Sequence, residues 1–196
     1  MGEMITPASG QANDRFVDPS DAAERVAACV RACRGRLRTA IDGGAYVGTW
    51  SVQLLPLFRR VIAFEPIAEN AECLALNCPG AEIHRAALGA EAGSVSMARQ
   101  NERKAYSYQR ADHGVEVPVM AVDDLRLEDL DLVKLDLEGM EHDALRGARE
   151  TLLRCRPVVM VEEKFDPDRL ATRFLVDLGM VRRARFKRDW LFSWGR

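Results

Sequence analysis

The 196-residue sequence lacks a long apolar run, a marked excess of either charge and a cysteine pattern that would bind zinc. A membrane-spanning helix needs about 20 consecutive apolar residues, and no segment approaches that length. The 28 basic residues nearly balance the 30 acidic ones, for a formal charge of -2. That balance argues against a dedicated nucleic-acid-binding or membrane-surface protein, so neither partner is predicted.

The five cysteines are an odd number, and their spacings match no metal motif. We expect them to act as small buried apolar side chains in a reducing compartment. The N-terminus has no basic segment followed by an apolar core, so no secretory signal is predicted and a cytoplasmic location is expected. Residues 1–17 are predicted to form a flexible tail, and residues 18–196 a single domain.

Apolar residues make up 47% of the chain, and short β-rich runs of them alternate with helical stretches. This alternation is typical of an open α/β sheet, mostly parallel, with helices on both faces. Met180 to Trp194 is expected to add an antiparallel hairpin, and Gly93 to Val122 extended excursions on the sheet edge. Strands are predicted at about 38–42, 61–64, 81–88, 131–136 and 157–161, and helices at about 20–34, 49–57, 68–77, 141–153 and 168–178.

The first predicted strand leads into a glycine-rich turn, Asp42-Gly43-Gly44-Ala45-Tyr46-Val47-Gly48. Glycine lets the backbone bend tightly and approach a ligand. Glu65 follows Gly44 by 21 residues, close to the separation of about 20 at which an acid binds ribose hydroxyls. The glycines alone would also fit a simple strand-to-helix turn, but the turn, the spacing and the acid together predict an adenosine-containing cofactor.

The residue before the glycines helps to identify that cofactor. Nicotinamide-binding folds usually carry G-x-G-x-x-G, with a helix N-terminus facing a pyrophosphate. The carboxylate of Asp42 would repel a pyrophosphate, whereas it would suit an ammonium group such as that of S-adenosylmethionine. The pattern therefore favours the methyl donor, with a nicotinamide-dependent oxidoreductase as the alternative.

Five motifs, in order between about Ile41 and Glu163, resemble those of FkbM-type methyltransferases. They are the glycine turn, Ala63-Phe64-Glu65-Pro66, Ala87-Leu88-Gly89, Val122-Asp123-Asp124-Leu125 and Lys134-Leu135-Asp136-Leu137-Glu138-Gly139-Met140-Glu141. The resemblance implies a class I, Rossmann-like methyltransferase that uses S-adenosylmethionine. It also implies that the methyl acceptor is most often a hydroxyl oxygen of a small molecule, sugar or natural product.

The resemblance also implies a set of cofactor-binding residues. These are Asp42, Gly43, Gly44, Ala45, Tyr46 and Gly48 of the turn, Glu65 and Pro66 after the second strand, Ala87 and Leu88 beside the adenine, and Asp136. The chain departs from the family pattern at Gly43, where an apolar residue is common, and at Tyr46, where asparagine is frequent. A lid over the acceptor would have to come from the N-terminal helix, the 100–114 excursion or the C-terminal hairpin.

Acidic residues follow the fourth strand, whose end faces the transferable methyl group in this fold. An alcohol is a poor nucleophile unless a base removes its proton. Asp136 is the first candidate for that base, Glu138 the second, and His142 the third because its ordinary pKa near 6.5 suits the role. As structural alternatives, Glu138 and Glu141 lie where acids stabilise a helix N-terminus, and a helical histidine is often a surface residue.

Two further functions remain open at this stage. A metal site is one of them, because four acids that follow strands would suit magnesium or calcium: Asp136, Glu138, Glu162 and Glu163. Nothing in their spacing demands a metal, and none is assigned.

Asp123 and Asp124 are expected to form a turn and a helix cap rather than a catalytic site. A chain that binds S-adenosylmethionine without catalysing transfer is the non-enzymatic alternative.

The C-terminal stretch interleaves basic and aromatic residues. Trp190, Phe192 and Trp194 alternate, so they share one face of a strand. Stacking on such a face can bind single-stranded nucleic acid. The balanced net charge favours the other interpretation, an edge hairpin that packs its aromatic residues inwards.

Overall fold

The computed structural model describes residues 4–7, 20–99, 108–164 and 168–195. The helices in this part of the chain are α1 (Ser20–Cys33), α2 (Ser51–Leu54), α3 (Ala68–Asn77), α4 (Glu141–Arg146), α5 (Arg149–Cys155) and α6 (Leu170–Asp177). The strands are β1 (Thr39–Gly43), β2 (Arg60–Phe64), β3 (Glu82–His84), β4 (Ala87–Leu88), β5 (Gly93–Arg99), β6 (Tyr108–Arg110), β7 (Val115–Met120), β8 (Leu130–Leu135), β9 (Val158–Glu162), β10 (Met180–Phe186) and β11 (Asp189–Trp194).

A seven-stranded sheet with the order β10-β11-β9-β8-β1-β2-β3 forms the centre of the protein. The strands from β9 to β3 are parallel to their neighbours, and β10 and β11 form an antiparallel hairpin against β9. The predicted open, mostly parallel sheet with an antiparallel ending is therefore confirmed. The chain runs outwards in both directions from β1 and β8, which places a ligand-binding crevice beyond their carboxyl ends.

Alternate residues of the central strands supply two separate core layers. On one face, Ala40 and Leu132 pack with α1 and α2 residues such as Leu54. On the other, Ile41 and Val133 pack with residues of α4, α5 and α6. Because both faces are covered, every residue of β1 and β8 is buried, as the apolar runs in the sequence indicated.

The segment around β3 adds a feature that was not predicted. Residues 81–88 contain the expected third strand, β3, which pairs with β2, but also a further short strand, β4, which pairs with β7. Residues beyond it are not excursions on the edge of the main sheet but form a second, four-stranded sheet with the order β4-β7-β5-β6. Its inward side chains, Val95, Met97 and Val117, form an apolar cluster of their own with Ile67 and Met140.

The helix predicted over residues 141–153 is also two helices, broken at Gly147. A Cβ there would lie 2.1 Å from the carbonyl oxygen of Gly89, so the chain passes too close to the β4 loop for a side chain. Asp123 caps the second helix, since its carboxylate accepts hydrogen bonds from the backbone N–H of Glu150 at 3.0 Å and of Thr151 at 2.8 Å. The predicted cap at Asp123 is thus confirmed, with α5 as the helix it serves.

The hairpin packs its aromatic residues as the edge-hairpin interpretation required. Phe192 is fully buried. The guanidinium groups of Arg182 and Arg185 lie 5.0 and 5.1 Å from the ring centre of Trp190. Arg156 lies 4.8 Å from the ring of Trp194. The tryptophan faces are therefore in contact with the protein's own cations.

All five cysteines are free and buried, as expected. Burial raises the pKa of the Cys33 thiol to about 12, which leaves it a neutral core side chain at ordinary pH.

In the described residues, no helix is both long enough and apolar enough to span a membrane. Of the predicted tail, residues 4–7 lie against α3, where Asn77 both accepts a hydrogen bond from Ile5 N and donates one to Ile5 O at 2.8 Å; the rest lies outside the described residues.

Candidate active site

A cavity of about 600 Å³ opens at the carboxyl ends of the central strands. The loops after β1, β2, β8 and β9 form its floor, and the second sheet, α1 and the hairpin turn form its walls. Eight of the residues predicted for the site line this cavity: Gly44, Tyr46, Glu65, Pro66, Ala87, Leu88, Asp136 and Glu138. The sheet thus brings together residues more than 90 positions apart.

The glycine turn approaches the β8 loop closely. Gly44 has a φ of +71°, and a Cβ on it would lie 1.9 Å from the carbonyl oxygen of Asp136. This is the one position where contact between the two loops requires glycine. Gly43, Ala45 and Gly48 are buried and do not line the cavity. Their role in this structure is to shape the turn rather than to present a surface.

Asp42 also lies behind the cavity wall and differs from the prediction. Its side chain is fully buried, and Oδ1 lies 3.1 Å from the Nζ of Lys134 while Oδ2 accepts a 2.7 Å hydrogen bond from Ser51 Oγ. The Lys134 ammonium also donates to the carbonyl oxygens of Gly43 and Gly44, at 3.1 and 2.9 Å. The Asp42 carboxylate was predicted to pair with the ammonium group of the cofactor. In the structure it pairs instead with the ammonium group of Lys134, a residue of β8.

The Lys134 ammonium keeps its charge in spite of complete burial. Burial is the largest single effect and lowers the pKa of this group, but the contact with Asp42 and the charges of Asp136 and Asp189 together outweigh it, and the pKa stands above its ordinary value. The contact at Oδ1 of Asp42 is an ion pair rather than a well-aligned hydrogen bond. The pair therefore joins β1 to β8 and holds the carbonyl groups of the turn.

Glu65 stands where β2 ends and accepts three hydrogen bonds from the protein. Its Oε1 accepts from Ile67 N at 3.0 Å and from Asn70 Nδ2 at 3.1 Å, and its Oε2 accepts from Tyr46 N at 2.9 Å. Burial raises the pKa of this carboxyl, and the three donors oppose the rise. A carboxylate oxygen accepts more than one hydrogen bond, so Oε2 retains capacity for a donor in the cavity.

An apolar slot adjoins Glu65. Its walls are Ile67 from the loop after β2, Ala87, Met97 and Tyr108 from the second sheet, and Met140 from the loop before α4. The sequence predicted Ala87 but not the other four residues. The alternating pattern of β5 predicts that Met97 faces inwards, yet nothing local to it indicates which inward-facing side chains reach the cavity.

Three carboxyl groups meet at the floor of the cavity. Oxygen atoms of Asp136, Glu138 and Glu162 all lie within 4.8 Å of one another. The Lys164 ammonium donates to both oxygens of Glu138, at 2.8 and 3.1 Å. Burial and the charge of Asp136 raise the pKa of Glu162 to about 8. Glu163, the fourth acid considered for a metal, is not among the residues of this cluster.

Glu141 has a more specific role than the predicted contact with a helix dipole. Its Oε1 accepts a hydrogen bond from Leu137 N at 2.7 Å, and its Oε2 accepts one from Gly139 N at 3.0 Å. It thereby holds the loop that carries Asp136 and Glu138. Burial raises the pKa of Glu141 to about 7, against the effect of these hydrogen bonds.

His142, the third candidate base, does not line the cavity. Its ring stands edge-on to the ring of Phe174 with centroids 5.9 Å apart, so it packs between α4 and α6. The reason is helical geometry: Glu141 turns back towards the β8 loop, and the next residue on the helix points about 100° away from it.

The outer end of the cavity is built by α1 and the hairpin. Arg25 of α1 forms an ion pair with Asp189 of β11, and the guanidinium lies 5.7 Å from the ring centre of Trp50. Lys187 and Arg188 of the hairpin turn line the rim. Two of the three segments predicted to cover an acceptor therefore border the cavity. In the third, residues 100–107 lie outside the described residues, and Tyr108 borders the apolar slot.

The open, mostly parallel sheet with an antiparallel last hairpin, and the cavity at the carboxyl ends of its strands, define a Rossmann-like class I methyltransferase fold. Residues 42–191 match the model of the methyltransferase FkbM domain. The chain belongs to that family.

Solved structures agree with this fold. The FkbM methyltransferase from Methylobacillus flagellatus KT superposes with a TM-score of 0.57 at 18% identity, over 81% of this chain and 44% of that one. The precorrin-6y C5,15-methyltransferase from Geobacter metallireducens GS-15 gives 0.55 at 16% identity, over 99% and 95%. The magnesium protoporphyrin IX methyltransferase from Synechocystis PCC 6803, solved with bound S-adenosylmethionine, gives 0.51 at 14%, over 90% and 79%.

The chain thus spans less than half the length of the Methylobacillus protein. Among curated proteins, none matches the sequence significantly. The family membership decides against the oxidoreductase alternative.

Proposed function

We propose that the protein binds S-adenosylmethionine and transfers its methyl group to a hydroxyl oxygen of a small molecule or glycan. The observation that carries this proposal is the Glu65 carboxylate, held by three donors beside an apolar slot with one oxygen able to accept further hydrogen bonds. A ribose hydroxyl pair and an adenine ring match these two features. Membership of the FkbM family and the relative with bound S-adenosylmethionine support it.

Different residues of the cavity match the ribose, the adenine and the methionine portion of this cofactor. Glu65 would accept the ribose hydroxyl protons, and Ile67, Ala87, Met97 and Met140 would cover the adenine. Gly44 and Tyr46 would border the methionine end, above the buried Asp42–Lys134 pair. When bound, S-adenosylmethionine supplies an electrophilic methyl carbon on a sulfonium centre.

The acceptor would occupy the end of the cavity bordered by Trp50, Arg25 and Asp189. Asp136 also lines the cavity, and we assign it the removal of the acceptor proton. A hydroxyl group donates one hydrogen bond to a carboxylate and presents its oxygen lone pair to the methyl carbon. Glu138 is already paired with Lys164, which favours Asp136 over Glu138 for this role.

Calorimetric titration of the full chain with S-adenosylmethionine, and separately with NAD, tests the cofactor assignment. We expect saturable binding of the methyl donor and none of NAD. Incubation with methyl-labelled S-adenosylmethionine and pooled hydroxylated metabolites and oligosaccharides, read by mass spectrometry, then tests transfer. Label found on carbon or nitrogen would contradict the hydroxyl assignment. Binding without transfer to any acceptor would favour the non-catalytic alternative.

A further inference from the structure

Glu162 lies on the floor of the cavity and has no role in the proposed reaction as described above. It ends β9, and β9 runs parallel to β8 with Leu135 opposite Val161. The next residues on the two strands are Asp136 and Glu162, so the register of the sheet sets their side chains next to each other. Both line the cavity, and oxygen atoms of the two carboxyl groups lie within 4.8 Å of each other, within reach of a shared proton after a small side-chain rotation.

A hydrogen bond between two carboxyl groups requires a proton, because an ionised carboxylate has only acceptors. Two carboxylates that share a site cannot both ionise easily, and one of them keeps its proton to higher pH. Here burial and the charge of Asp136 raise the pKa of Glu162 to about 8. Glu162 therefore keeps its proton at neutral pH and has a hydrogen to donate.

The charged groups around the pair are themselves matched. Lys164 is paired with Glu138 at 2.8 Å, Lys134 with Asp42 at 3.1 Å, and Arg25 with Asp189. Lys164 lowers the pKa of Glu162, whereas Glu138 raises it. Each of these neighbouring cations is paired with an acid. Asp136 is therefore the charged group with the largest effect on the pKa of Glu162, which it raises.

We propose that Glu162 is a positioning residue that donates a hydrogen bond to Asp136 and keeps that carboxylate aimed into the cavity. This inference rests on the proposed function. As the acceptor oxygen bonds to the methyl carbon, the S–CH₃ bond breaks with its electron pair passing to sulfur, and the hydroxyl proton passes to Asp136. That proton then leaves to water.

The proton on Glu162 can be measured without any acceptor. Glutamate side chains labelled with ¹³C at the carboxyl carbon report each titration by NMR, and aspartates stay silent. We expect one titration near pH 7 that Glu141→Gln removes and one near pH 8 that Glu162→Gln removes. Glu163→Gln is the matched control, one residue along and outside the carboxyl pair, and should leave both titrations in place.

A second variant separates the pair from simple burial. Asp136→Asn removes the neighbouring charge, so the midpoint of Glu162 should move towards acid by about one pH unit or more. The inference would be overturned if the midpoint of Glu162 did not move in Asp136→Asn. It would also be overturned if the wild-type protein showed no titration near neutral pH that Glu162→Gln removes. These outcomes are independent of whether the chain transfers a methyl group.

The pH profile of turnover provides the functional readout once an acceptor has been found by the labelled-methyl screen. Wild-type turnover should fall above about pH 8, as Glu162 ionises and its hydrogen bond to Asp136 is lost. Glu162→Gln keeps a permanent donor at that position, so it should retain turnover within about threefold at pH 7 and lose the alkaline fall. An alkaline fall that persists in Glu162→Gln contradicts the role. Absence of any methyl transfer contradicts the proposed function instead, and the NMR titration then decides the inference.

Discussion

The Nζ of Lys134 lies 3.1 Å from Oδ1 of Asp42 in the centre of the sheet, with both side chains buried. The pair connects the neighbouring strands β1 and β8, and the same ammonium donates to the carbonyl oxygens of Gly43 and Gly44. This buried ion pair therefore links the two strands whose following loops form the floor of the cavity.

Lys134→Met is expected to destabilise the protein by about 3–5 kcal/mol, because it leaves the Asp42 carboxylate buried without its counter-charge. Urea denaturation followed by circular dichroism measures the loss. Arg59→Met, at an exposed position, is the control and should change stability by about 0.5 kcal/mol or less. Adding Asp42→Asn to Lys134→Met should recover part of the loss, since it removes the unpaired charge; a purely additive double variant would contradict this account.

Glu65→Gln should weaken the binding of S-adenosylmethionine by about tenfold to a hundredfold. The change replaces a charged acceptor by a neutral amide, and hydrogen bonds to charged groups contribute about 1.5–3 kcal/mol. Calorimetric titration gives the affinity. Glu72→Gln, on the exposed face of the same helix region, should bind as the wild type does, and equal binding by both variants would refute the ribose assignment.

Glu141 should make the wild-type protein less stable as the pH rises from about 4.5 to about 7. Its pKa is about 7 in the folded protein against an ordinary 4.5, so in this interval the folded state holds a proton that the unfolded state has lost. The slope of the unfolding free energy against pH is then negative, and the span corresponds to about 3 kcal/mol. Unfolding measured at several pH values should show this part of the slope missing in Glu141→Gln; parallel curves would contradict the raised pKa.

Gly44→Ala is expected to disrupt the site, whereas Gly35→Ala should not. Both glycines have positive φ, +71° and +82°, but a Cβ on Gly44 would lie 1.9 Å from Asp136 O and one on Gly35 would meet nothing within 4 Å. Gly35→Ala therefore measures the backbone strain alone, about 1–2 kcal/mol. Gly44→Ala should cost more in urea denaturation and also weaken the binding of S-adenosylmethionine; equal effects of the two substitutions would exclude a close approach of the loops.

Asp136→Asn should reduce methyl transfer by about 10²–10⁴-fold, the usual contribution of a general base, while the affinity for S-adenosylmethionine changes little. His142→Ala should leave turnover within about twofold, because its ring packs on Phe174 away from the cavity. Initial rates with the labelled methyl donor compare the two variants. A large loss in His142→Ala, with Asp136→Asn active, would reverse the assignment.

Much of the site was predictable because it depends on local pattern. The separation of Gly44 and Glu65 along one strand-helix-strand unit predicted that the two segments lie together, and the structure joins them through the hydrogen bond from Tyr46 N to Glu65 Oε2. Ribose binding by Glu65 stays a prediction. The bounds of α3, Ala68–Asn77, agree with those expected from its helical stretch and the following Pro79-Gly80. Asp136 reached the cavity because it follows a buried strand.

The sequence by itself determined the parallel sheet, the tight turn after β1 and the acids at the strand ends, since periodicity and turn chemistry act over a few residues. Only the tertiary structure decided that Asp42 faces Lys134, that Glu162 stands beside Asp136, and that Met97 of a second sheet reaches the apolar slot. Each of these relationships depends on which strands become neighbours and in which register. That choice follows from packing of the whole core, and no short stretch of residues carries it.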